Sequence, residues 1–167
     1  WGTPSWARAT DPAVADVKDF RDQPFGARPR DPADAGRFAQ AAATRYAPRG
    51  VHMWEAWNEP NGPMYLRPQY RREGSRWVPE SPRIYAQILR AMYAGFTRAD
   101  PDAVVAGGAT APVGDRDVAN CPLAKQNCRV TPQAFVTALN ALRPPMDAYA
   151  HHPYPSRPPT DAINPKA

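Results

Sequence analysis

An α/β fold built on a parallel sheet is what this 167-residue sequence predicts. Short runs of strand character alternate with longer stretches of helical periodicity, in the order β-α-β-α-β-α-β. The run AVVAGGAT at 103–110 is apolar on both faces, as a strand buried in a parallel sheet must be. Every long loop follows a strand, whereas the helix-to-strand links are short, so the elaborated loops gather at the strands' C-terminal ends. A doubly wound sheet satisfies the same alternation, but no glycine-rich phosphate loop follows any strand. Gly107-Gly108 lies inside one and lacks the GxGxxG spacing. A (β/α)8 barrel of the TIM type is therefore the expected architecture.

The elements follow in order. Residues 1–6 (WGTPSW) read as a strand end running into a loop, and the charged, proline-bearing stretch to residue 30 as a long connection. Asp31-Pro32 starts the first helix, with Asp as N-cap and Pro at the first helical position. That helix is expected to reach Tyr46, with Phe38, Ala39, Ala42, Ala43 and Tyr46 on one apolar stripe, and Pro48 and Gly50 end it. Residues 51–58 are the second strand. Residues 61–80 read as a loop, longer than usual and hence either functional or mobile.

Ser81-Pro82 repeats the capping device. Ile84, Tyr85, Ile88, Leu89, Met92 and Phe96 then mark the buried face of a helix ending near Asp100. After the strand at 103–110, a second long loop carries the cysteines. Thr131-Pro132 caps a third helix, with Phe135, Val136, Leu139 and Leu142 facing inward. Residues 146–152 (MDAYAHH) are the fourth strand, stopped by Pro153, and a proline-rich tail follows from Ser156.

Composition bounds the function. A hydrophobic fraction of 43% with 10% aromatic residues suits one globular domain over residues 1–167, and no run of 18 apolar residues exists to span a membrane. The opening on Trp1, with no leader before it, reads as a piece cut from a longer chain. The net charge of +5 rests on 21 basic residues, all but three of them arginine. Many alternate with acids, as in Asp115-Arg116-Asp117. The densest cluster, Arg67, Arg71, Arg72 and Arg76 around Tyr70 and Trp77, comes without a nucleic-acid motif, so no nucleic-acid partner is expected. Cys121 and Cys128, close together in a loop, suit a local disulfide and an exported protein; two unpaired thiols are the alternative. Zinc needs about four ligands, and only His151 and His152 could join the cysteines, so no metal is expected.

The octet Trp54-Glu55-Ala56-Trp57-Asn58-Glu59-Pro60-Asn61 carries the chemistry. An Asn-Glu pair flanked by tryptophan and stopped by proline at a strand end can hold one carboxyl group at a barrel mouth. Trp57-Asn58-Glu59-Pro60-Asn61 resembles the signature ending the fourth strand of clan A glycoside hydrolases, the (β/α)8 group that includes cellulase-like family 5 and xylosidase-like family 39. Gly2-Thr3-Pro4-Ser5-Trp6 resembles the end of their third strand, and His151-His152-Pro153-Tyr154 the His-x-Tyr end of their sixth.

The resemblance implies a partial barrel, strands three to six with their helices, from a secreted retaining glycosidase that cleaves β-linked oligo- or polysaccharides without a cofactor. It implies Glu59 as general acid/base and Asn58 on the sugar hydroxyl beside the reacting carbon. His152 lines the sugar site, Tyr154 contacts the nucleophilic carboxylate, and Asn61 belongs to the substrate site. Trp6 either stacks on a pyranose ring or fills the core.

The roles make physical sense. A proton donor to a glycosidic oxygen must hold its proton near neutral pH, which calls for a partly desolvated, aromatic setting supplied by Trp54 and Trp57. Strand alternation would send Asn58 and Glu59 to opposite faces, so both reach one site only if the strand ends or bulges, as Pro60 suggests. A retaining glycosidase also needs a second carboxyl group about 5–5.5 Å away. Glu55, four residues before Glu59, is expected roughly 13 Å off at about 3.3 Å per residue, too far for either glycosidase geometry. It reads as a barrel-interior or structural acid, with an arginine as its candidate partner. Asp147 lies at the wrong end of its strand. The resemblance puts the nucleophile at the end of a seventh strand, beyond Ala167, so the 167 residues alone should be inactive. The alternatives are a non-catalytic carbohydrate-binding or structural relic of the barrel, and a metal hydrolase using His151 and His152.

Overall fold

A computed structural model describes residues 2–10, 26–121 and 125–154. Trp1, the middle of the first long connection (11–25) and the tail from 155 onward lie outside the described residues. The elements are α1 (Pro32–Tyr46), β1 (Met53–Glu55), β2 (Tyr70–Glu73), β3 (Arg76–Pro79), α2 (Ser81–Ala99), β4 (Val104–Thr110), α3 (Pro132–Leu142) and β5 (Ala148–His151). Short 3-10 turns at Ala47–Arg49 and Lys125–Asn127 complete them.

The fold is α/β. Strands β1, β4 and β5 form one parallel sheet in that spatial order, with Met53 opposite Val104 and Ala106 opposite Ala148. Each neighbour is reached through one helix, α2 between β1 and β4, and α3 between β4 and β5. Tyr85 of α2 packs on Phe135 of α3, ring centroids 5.7 Å apart, so both helices cover the same face. Ile88, Leu89, Phe96, Val105 and Leu139 fill the core between helices and sheet. The opposite face is open among the described residues: Met53 is 79% exposed beside Val104 at 41%.

Local chemistry accounts for the helix ends. Asp31 accepts from the Ala33 amide, and Thr131 from the Ala134 amide, each followed by Pro at the first helical position. The start of α2 departs from expectation. Its N-cap is Glu80, which makes no capping bond because its carboxylate pairs with Arg83 and Arg71. Ser81 is buried and donates instead to Gln69 Oε1 at 3.2 Å.

The stripe on α1 also needs correction. Ala35, Ala39 and Ala43 are buried, whereas Phe38 and Tyr46 are exposed. The reason is closeness: a Cβ on Gly36 would come within 2.7 Å of the Ala91 carbonyl, and one on Gly95 within 2.2 Å of the Gly36 carbonyl. Only small residues fit between α1 and α2. The buried face of α2 is as expected, but on α3 only Phe135 and Leu139 are buried, with Val136 and Leu142 exposed.

Residues 61–80 are not one structureless loop. Strands β2 and β3 pair antiparallel from Tyr70↔Pro79 to Glu73↔Arg76, turning at Gly74 with φ 60°. The basic cluster is engaged here: Arg71 pairs with Glu73 and Glu80, and the Arg72 guanidinium lies 5.8 Å over the Trp77 ring. Arg67 is buried, and desolvation pulls it down to about 10.

The N-terminal segment shows the loop and not the strand end. Residues 5–7 turn, and the Ala9 amide donates to Arg28 while the Arg30 amide donates to Ala7, so its backbone bonds go to 28–30 and β1 keeps an open edge among the described residues. Cys121 and Cys128 are joined in a disulfide across the loop before α3. No helix among the described residues is long and apolar enough to cross a membrane.

Candidate functional site

The site begins where β1 stops. Beyond Glu55 the chain still follows β4, with the Ala56 amide donating to Ala106 and the Glu59 amide to Ala109, both at 2.9 Å. Regular alternation is lost, because Trp57 (φ 73°) and Glu59 (φ 41°) are left-handed, as are Gly108 (φ 91°) and Ala109 (φ 44°) opposite. Each non-glycine residue in that region costs about 1–2 kcal/mol.

Two buried groups hold the conformation. The Tyr85 hydroxyl donates to the Ala56 carbonyl and accepts from the Gly108 amide, each at 2.8 Å, which ties the two strand ends together. Asn61 is fully buried; its amide donates to the carbonyls of Ala111, Val113 and Val130, and its Oδ1 accepts from the Ala111 amide at 2.8 Å. Asn61 is thus a clamp between three loop segments. Every polar atom of its side chain is engaged, so it is withdrawn from the substrate-binding residues.

Glu59 and His152 meet across the sheet although 93 residues apart. His152 Nδ1 lies 3.0 Å from Glu59 Oε1, with both side chains mostly covered (19% and 15% exposed). The opposite ring nitrogen, Nε2, lies 3.4 Å from Glu55 Oε1. The Tyr154 hydroxyl is 3.3 Å from Nδ1. The hydrogen bond to Glu59 pushes the imidazole above its ordinary 6.5; burial opposes this, and Glu55 adds to the rise. Tyr65 faces the same group. Its phenol is raised by burial, then by the Glu59 charge and Tyr154, while a hydrogen bond from Asn58 works the other way.

Beside this cluster opens a largely apolar cleft of about 480 Å³, lined by Trp6, Phe38, Glu55, Trp57, Asn58 and Tyr65 among others. Trp6 stands at its rim, 69% exposed. The Trp57 indole donates to the Tyr65 carbonyl at 3.1 Å, which fixes the ring on the cleft wall.

The structure therefore brings Glu59, Asn58, His152 and Tyr154 to one end of the sheet, while Trp6 lines the neighbouring cleft together with Asn58. Trp54 is not with them. It lies on the helix side, stacked on Phe96 at 4.8 Å between centroids, so Trp57 alone of the pair lines the cleft. Glu55 is closer to Glu59 than the extended-chain estimate: both carboxylates contact one imidazole ring, because regular strand geometry stops at Glu55 and the left-handed residues Trp57 and Glu59 break the alternation. Its partner is His152, not an arginine. His151 diverges from His152 and bonds Thr110 Oγ1 at 2.9 Å, so the two histidines do not converge on one ion. Asp147 has a structural role, accepting from the Val105 amide and the Tyr93 hydroxyl. Tyr65 had no signal in the sequence, since it lies within the segment read as loop.

No protein-family model matches the chain, and no curated protein matches it.

Proposed function

We propose that the chain is the middle of a (β/α)8 barrel from a secreted retaining glycoside hydrolase, with Glu59 as general acid/base on β-linked oligo- or polysaccharides. The observation that carries this reading is the mostly covered Glu59 carboxyl, hydrogen-bonded at the C-terminal end of a parallel strand, the end where barrel enzymes hold their chemistry. Strand order is compatible with the barrel: β1, β4 and β5 advance one way under helices on one face, as consecutive barrel strands do. The intramolecular disulfide fits an exported protein.

In this mechanism Glu59 gives its proton to the glycosidic oxygen as the bond to the anomeric carbon breaks. It then takes a proton from the water that releases the sugar from the nucleophile. The nucleophilic carboxylate is assigned to a later strand, by the family resemblance alone. Asn58, uncharged and beside the acid, suits a sugar hydroxyl; Trp6 and Trp57 offer flat apolar faces to a pyranose ring.

The test is hydrolysis of an aryl β-glycoside by a polypeptide carrying the whole barrel. Glu59→Gln should lower turnover by about 10²–10⁴-fold, the range removed with a general acid. Undiminished turnover would rule the assignment out. The aromatic cleft also suits a barrel that binds sugar without cleaving it, which would show oligosaccharide binding and no turnover in the same polypeptide.

A further inference from the structure

We propose that Glu55 is a positioning residue for the same reaction, acting through His152 to fix which oxygen of Glu59 is left for the substrate. This rests on Glu59 being the acid/base, and it moves His152 from the sugar contacts to the acid's support.

The geometry is a chain of three groups. Glu55 Oε1 holds one nitrogen of the His152 ring and Glu59 Oε1 the other, so the ring cannot turn without losing a carboxylate. The His152 backbone is itself fixed, its amide donating to the Thr110 carbonyl at 2.9 Å. With a proton on each nitrogen, the imidazolium donates to both acids and occupies Oε1 of Glu59. Oε2 is then the oxygen that carries the transferable hydrogen. During cleavage the proton on Oε2 moves to the glycosidic oxygen, which keeps the electron pair of the broken bond. The proton on Nδ1 stays in place and donates to the carboxylate that forms. In the second half-reaction Oε2 recovers a proton from water.

Glu55 has two tasks here: it accepts from Nε2, and its negative charge offsets the imidazolium beside the acid. Among the described residues, the groups facing His152 are Glu55 at the end of β1, Glu59 just beyond it, and Tyr154 from the segment after β5. Tyr65 faces Glu59 and Tyr154, while His151 is turned away toward Thr110. When His152 loses its proton, bare Nδ1 attracts the carboxyl hydrogen to Oε1, and Oε2 has none to give. The alkaline limb of activity thus belongs to the His152–Glu59 pair as a unit.

The experiment follows the His152 ring nitrogens of the ¹⁵N-labelled 167-residue chain against pH. The native chain, Glu55→Gln and Glu59→Gln are compared, each checked for fold by its amide spectrum. The expected result is a native midpoint above the ordinary 6.5, lowered by both substitutions, with both nitrogens protonated below it. Glu55 is 44% exposed at its side chain, so the amide change leaves the packing in place. Glu55→Asp, which keeps the charge, should restore part of the shift. A midpoint that moves in Glu59→Gln but not in Glu55→Gln overturns the role of Glu55 and leaves the glycosidase reading standing. That reading fails on a different result, undiminished hydrolysis by Glu59→Gln in the whole barrel.

Discussion

Asn61 shows how the proposed catalytic motif can be held by a residue that does no chemistry. Its side chain makes four hydrogen bonds to backbone groups of the segments around the Glu59 turn, three of them buried and the one to Val113 partly so. Asn61→Ala leaves those groups without partners, at about 1–3 kcal/mol for each one that water cannot reach. A denaturant midpoint lowered by an amount in this range is the expected outcome; an unchanged midpoint would show that water substitutes for the amide. The place of Glu59 at the end of a parallel strand could be read from the sequence, because Asn-Glu-Pro after a strand-like run marks where the strand stops. The closeness of Glu55 could not, because strand spacing was carried through four residues of which two are left-handed. Nothing in the residue types marks Trp57 as a position with φ above zero.

Among the elements, the junction of β1 and β4 depends on α2. Tyr85 sends its hydroxyl from the buried face of that helix to both strand ends, satisfying one carbonyl and one amide. Tyr85→Phe keeps the ring against Phe135 and removes only these bonds. The prediction is a loss of about 1–3 kcal/mol and faster amide exchange at Gly108, with exchange elsewhere on β4 little changed. Exchange at Gly108 equal to the native protein would contradict the bridging role. The helices could be read from the sequence, since Asp31-Pro32 and Thr131-Pro132 are strong start signals and α2 has a regular apolar face. The β2–β3 hairpin was missed although Gly74-Ser75 is a two-residue turn signal. Its strands carry too many arginines to look like half-buried sheet. The α1 stripe misled for the opposite reason: contact there is set by how closely glycine and alanine let two backbones approach, not by apolar bulk.

For the molecule as a whole, the order of the parallel strands and the helices between them followed from periodicity and cap signals, whereas the hairpin did not, nor did the N-terminal segment, whose backbone bonds go to residues 28–30. Charge gives a global test. His152 binds its proton more tightly when folded, so its contribution is fully present below about pH 6.5 and is lost as pH rises through the higher folded value. Asp115 has the opposite sign. Burial pushes its carboxyl up, but the bonds and charge of Arg129 outweigh this and hold it below 3.8. Its contribution is present above that value and lost as pH falls through the lower folded one. The melting temperature should therefore fall on both sides, and the alkaline decline should shrink in Glu59→Gln. An alkaline decline identical in the variant would show that Glu59 does not hold the His152 proton.

The account depends most on Glu59 delivering a proton to a departing oxygen. The direct measurement compares Glu59→Gln with the native residue, in a polypeptide carrying the whole barrel, on two β-glycosides whose leaving groups differ in basicity. Loss of a proton donor should depress cleavage of the alkyl glycoside by about 10²–10⁴-fold, and bond breaking in the dinitrophenyl glycoside, whose leaving group departs unprotonated, much less. Equal losses on both substrates would contradict the role assigned to this side chain.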